Sequence, residues 1–151
     1  MFERILVAVD FSDVTEAVVA RGRDLALAME AELCLLHVEA PEPYFVGYEP
    51  GPKSVREDVA QEVIDDQHDL HAIATDLREH HGLTVKPMLL QGATAEKILE
   101  EARRFEADLI VLGYHRHGML YQLLFGGVDE DVVHQAPCPV MVVPPAGNAD
   151  A

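Results

Sequence analysis

The chain has 151 residues, 49% of them hydrophobic, which is enough for one domain with a buried core. Asp and Glu number 27 against 11 Lys and Arg, giving a net charge of -16. That charge repels nucleic-acid phosphate and anionic membrane surfaces, so neither is expected as a partner.

Ile5 to Val9 is a short apolar run without alternation, as expected of a strand covered on both faces. Ser12 or Asp13 then offers a helix cap, and Asp13 with Glu16 has capping-box spacing. Val14, Val18, Arg21, Leu25 and Ala28 fall near one helical stripe, with Arg21 at its edge. Leu33 to Val38 reads as a second buried strand. Four prolines and two glycines between Pro41 and Pro52 mark a loop. A long polar helix is predicted from Ser54 to His81, with Gly82 as its C-cap. Leu83 to Leu90 is a third strand, placed towards an edge by Lys86 and Pro87. A helix from about Thr94 turns Ala95, Ile98, Leu99 and Ala102 inward. Leu109 to Leu112 is the fourth strand, Gly127 to His134 a short helix, and Val140 to Val143 the fifth strand.

Strands alternating with helices give right-handed β-α-β units and a parallel sheet, hence an open doubly wound α/β fold with helices on both faces. Residues 1–145 form a single domain on this reading, and 146–151 a flexible tail. Ligands in such sheets sit beyond the strand carboxyl ends, where the strand order reverses. The two cysteines, Cys34 and Cys138, have neither metal-ligand spacing nor the density of a disulfide framework. Glu3 precedes an immediate strand and no apolar run reaches membrane-spanning length, so a cytoplasmic location is expected.

Several residues carry two readings each. Asp10, at the end of the first strand, is either an orienting polar group at a ligand or a turn aspartate satisfying loop amides. Gly113, Gly118 and Gly126 permit close backbone approach to a phosphate, or simply unusual turns. Arg116, flanked by His115 and His117, is either a bidentate phosphate clamp or a basic surface turn. Asp129, Glu130 and Asp131 complement the dipole of the helix they begin, and they also repel a phosphate there. His68 and His71, with Asp65 and Asp69, lack zinc spacing on a solvated helix, so no metal site is predicted. His37 is read as a satisfied core or sheet histidine. No nucleophile elbow or Walker lysine motif occurs, so no catalytic residue is assigned.

Five segments in order resemble the universal stress protein family: Ile5 to Ser12, Leu36-His37-Val38, Gln91 to Leu99, Asp108 to Val128, and Ala136 to Val140. In the fourth, nucleotide-binding members carry Gly-x-x-Gly, nine residues, then Gly-Ser/Thr. Here Gly113 and Gly126 keep the first and third glycines, Arg116 replaces the second, and Gly127 replaces Ser/Thr. The resemblance implies strand order 3-2-1-4-5, an aspartate at Asp10 facing adenosine, and an adenine pocket at Val38. The nucleotide-binding set predicted on this basis is Ala8, Val9, Asp10, Val38, Gly113, Arg116, Gly118, Gly126, Gly127 and Val128. The ligand implied is ATP, with Mg²⁺, and the assembly implied is a homodimer paired through Val140–Val143. The alternatives are a dimeric stress protein with a degenerate site that works through a protein partner, and a slow ATP hydrolase.

Overall fold

The computed structural model of the chain describes residues 1–39, 53–114 and 128–145. In chain order the elements are β1 (Arg4–Val9), α1 (Thr15–Met29), β2 (Glu32–Glu39), α2 (Lys53–His81), β3 (Val85–Gln91), α3 (Thr94–Phe105), β4 (Leu109–Gly113), α4 (Val128–Gln135) and β5 (Val140–Val143). All strand pairs are parallel, and the order across the sheet is β3-β2-β1-β4-β5. The expected doubly wound sheet is therefore present, in the expected order. The loop predicted at Pro41–Pro52 and the tail at 146–151 lie outside the described residues.

Strand alternation sorts the core into two layers. Ile5, Val7, Val9, Leu33, Leu35 and Val111 pack under α1 and α2, with Val18, Leu70, Ala74 and Leu77 from the helices. Leu6, Cys34, Leu36, Val38, Ile110 and Leu112 pack under α3 and α4, with Ile98, Leu99, Ala102 and Val132. Both faces are thus covered, which is why these strands read as continuous apolar runs.

The helix α1 departs from expectation in two ways. Its inward residues are Thr15, Val18, Gly22 and Ala26, whereas Arg21 and Ala28 are exposed. The stripe turns by one position because Gly22 lets the helix close on β1: a Cβ there would stand 2.5 Å from Cγ2 of Val7. Neither Asp13 nor Ser12 caps the helix; Val14 holds the N-cap position without a side-chain hydrogen bond. Asp10 organises this turn instead, as described below.

Gly82 ends α2 with φ +66°, and the Leu83 amide donates to the Leu77 carbonyl across the terminus, as its predicted cap role requires. The helices α1 and α3 end differently: Glu30 and Glu106 adopt the left-handed conformation at φ 55° and 56°. β3 starts at Val85, two residues later than predicted, and is an edge strand as Lys86 and Pro87 require.

Candidate functional site at the carboxyl edge of the sheet

The strand order reverses between β1 and β4, which pair from Ile5↔Leu109 to Val7↔Val111. Asp10 follows β1 and Gly113 ends β4, so these two predicted residues flank the switch point. Ala8 and Val38 belong to the α3–α4 layer, whereas the Val9 side chain belongs to the α1–α2 layer. Arg116, Gly118, Gly126 and Gly127 lie outside the described residues. Val128 is at the start of α4 and is exposed.

Asp10 is exposed, and its Oδ1 is a hub for the turn into α1. It accepts from the Ser12 amide at 3.1 Å, the Ser12 hydroxyl at 2.6 Å and the Thr15 hydroxyl at 3.3 Å. The turn reading of Asp10 is therefore realised, at a position that also borders the switch point. Phe11 follows in the left-handed region at φ 59°, a conformation disfavoured for a residue with a bulky side chain.

Gly113 has a packing reason for lacking a Cβ. An added Cβ would stand 2.4 Å from Cγ1 of Val14. The start of α1 and the end of β4 approach each other through this glycine, so the glycine closes the floor of the switch point.

An open cleft of about 560 Å³ lies along the groove between α3 and α4. Thr94, Leu99, Arg103, Val128 and Asp131 are among its lining residues; Asp10 and Val38 are not. Its α4 wall begins with Asp129, Glu130 and Asp131, which suit the helix dipole and lower the potential there.

A second group of polar residues gathers at the same edge, on the opposite face of the sheet from Val38. His37 is 7% exposed, and its Nδ1 lies 2.8 Å from the carbonyl oxygen of Val9. Its Nε2 lies 3.1 Å from Oε1 of Glu39 and 3.3 Å from Oδ2 of Asp66. The Phe11 ring leans on the imidazole, with centroids 4.7 Å apart and planes at 53°. Burial, and then a hydrogen bond with Asp66, push the Glu39 carboxyl above its ordinary range, against the lowering pull of His37. His37 is thus satisfied, as predicted, but its carboxylate partners were not anticipated. One signal was available: His37 and Glu39 are two apart on a strand and so share a face. Asp66 arrives from α2 and has no such local signature. By contrast, among the described residues His68 meets only its neighbour Asp69 at 4.0 Å, and His80 pairs with Asp76 at 2.7 Å, both on the exposed side of α2.

The sequence pattern of the universal stress protein family matches residues 1–144. A universal stress protein of Thermus aquaticus, encoded 3′ of a QAH/OAS sulfhydrylase, is 35% identical over 147 residues, covering 95% of this chain and 99% of its own. Protein MJ0577 of Methanocaldococcus jannaschii superposes with a TM-score of 0.75 at 26% identity, covering 98% of this chain and 99% of that one. A universal stress protein solved in complex with cAMP superposes with a TM-score of 0.72 at 18% identity, covering 96% and 98%, a likeness of fold. With the strand order 3-2-1-4-5 and a match along nearly its whole length, the chain belongs to the universal stress protein family.

Proposed function

We propose that this chain binds an adenine nucleotide, ATP with Mg²⁺, at the switch point between β1 and β4, as a regulatory module of the cytoplasm. The observation that carries the reading is the placement of Asp10 and Gly113 on either side of that switch point, with Ala8 and Val38 in the adjoining layer. Universal stress proteins of this fold have been solved with cAMP, dAMP and AMP bound. Adenosine lies between Asp10, Val38 and the end of β4 on this reading. The phosphates run towards Gly118, Gly126, Gly127 and Val128, with Arg116 gripping their oxygens by its planar fork.

The test is direct. Small molecules released by denaturing the purified protein are identified by mass spectrometry, and the protein is then titrated calorimetrically with ATP and Mg²⁺. Micromolar binding that falls at least about tenfold, about 1.4 kcal/mol, in Arg116→Ala supports the clamp. Tighter binding in Arg116→Gly shows instead that the side chain blocks a backbone cradle. No heat at millimolar nucleotide overturns the reading.

One observation favours a second reading. The three acids in the first turn of α4 occupy the positive helix end that a phosphate needs. A family member with a degenerate site would act through a protein partner, and on that reading neither Arg116 variant gains nucleotide.

We further infer a homodimer. β5 is an edge strand with Val142 36% exposed, an aggregation hazard unless paired. Light scattering of the purified chain is expected to give twice the monomer mass, and Val142→Lys to give the monomer.

A further inference from the structure

We propose that His37, Glu39 and Asp66 form a binding site for one divalent transition-metal ion, zinc above all, which clasps the end of β2 to α2. The site goes beyond the nucleotide reading and does not depend on it.

Three observations carry it. The first is the ring orientation. The Val9 carbonyl at 2.8 Å accepts the Nδ1 hydrogen of His37, so Nε2 is the nitrogen turned towards the two carboxylates and ligates once an ion displaces its proton. Metal-bound histidines are held in this way, the second ring nitrogen donating to a fixed acceptor.

The second is spacing. The three donor atoms lie within 4.8 Å of one another, with Nε2 at 3.1 Å from Oε1 of Glu39 and 3.3 Å from Oδ2 of Asp66. Nitrogen and oxygen ligands about 2.0–2.2 Å from a tetrahedral zinc stand about 3.3–3.6 Å apart. The two nitrogen–oxygen spacings are within a few tenths of an ångström of those in such a site.

The third is the donor set and its exposure. The His37 side chain is 8% exposed and each carboxylate side chain 19%. One imidazole and two carboxylates form a donor set suited to a borderline divalent ion, and the partial exposure of Glu39 and Asp66 leaves an entry path and a position for water.

The experiment uses the full chain, stripped with a chelator and dialysed. Zinc alone is added in competition with a chromogenic chelator. One equivalent is expected to bind, with affinity at least about tenfold weaker in Glu39→Gln and in Asp66→Asn. These residues are partly exposed, so both variants are expected to keep the native circular dichroism spectrum, and zinc is expected to raise the melting temperature of the wild type but of neither variant. A variant with His68, His71 and His80 all changed to alanine is expected to bind as the wild type does. No zinc binding by the wild type overturns the proposal. So does binding that persists undiminished in both carboxylate variants, or that disappears with the three helix histidines.

Discussion

Among the described residues, one face of the sheet buries a histidine on β2 and the other a carboxyl group beside β2, and the two are treated very differently. On the α1–α2 face, His37 has both ring nitrogens engaged, by the Val9 carbonyl and by two carboxylates. On the α3–α4 face, Glu101 is 1% exposed; among the described residues its Oε1 has no hydrogen-bond partner, and its Oε2 meets only an exposed arginine, Arg104, at 3.4 Å. The first lies at the carboxyl edge of the sheet, where ligands gather in this fold. The second lies inside a helix–sheet layer and pushes the nearby Cys34 thiol up, though less than burial does. Burial of charge with complete pairing marks a place where the protein can do something; burial with incomplete pairing is a stability cost.

Emptying either layer of the core is expected to have the largest effect. Leu35 and Leu36 are both 0% exposed, one in each layer. Truncating either to alanine is expected to lower unfolding free energy by about 2–5 kcal/mol in denaturant titrations. The two side chains fall in separate core clusters on opposite faces of the sheet, so the double variant is expected to lose the sum within about 0.5 kcal/mol. A markedly smaller loss means that the layers are coupled.

The buried ionisable groups themselves give the next largest effects, of opposite sign. His37→Leu leaves Glu39 and Asp66 facing each other and is expected to cost about 1–3 kcal/mol. Glu101→Leu removes an unsatisfied oxygen from a dry layer and is expected to gain about 1–2 kcal/mol. Equal signs in the two melting shifts end the distinction drawn above.

A smaller effect belongs to the helix ends. Gly82 supplies α2 with the residue a left-handed terminus prefers, whereas α1 ends on Glu30 at φ 55°. Glu30→Gly is expected to stabilise by about 1 kcal/mol. Glu106 is a poorer test because it also pairs with Arg4 at 2.6 Å.

The effect that vanishes at neutral pH and appears only in alkali is a pH dependence. Burial pushes the Cys34 thiol from 9.0 to about 12. Above pH 9 the unfolded chain releases this proton while the folded chain keeps it, so unfolding is favoured as pH rises. The stability contributed by the protonated thiol is present below pH 9 and is lost progressively towards pH 12. Wild type is therefore expected to lose more stability than Cys34→Ala between these values. At pH 8 the folded chain is expected to resist thiol reagents at Cys34.

Much of the architecture was legible because the apolar runs are continuous where strands are buried on both faces, and because Lys86 and Pro87 betray an edge. The facing of α1 was misjudged because Gly22 has no side chain to mark the stripe, although it is the residue that packs on Val7. Asp66 was illegible for the opposite reason. It continues the inward stripe of Leu70, Ala74 and Leu77 along α2, but on a polar helix one more aspartate is inconspicuous until β2 places His37 against it. The segment that holds Arg116 lies outside the described residues, and its glycine spacing identifies a family pattern without fixing what a substituted residue does in it.

β3 carries Pro87, which withdraws an amide donor from the strand, and exposed Lys86 beside it places a charge where another strand would dock. The β3 rim is therefore blunt. In the homodimer proposed above the two β5 rims are used up by each other, so growth would stop at a closed pair and not become a fibre.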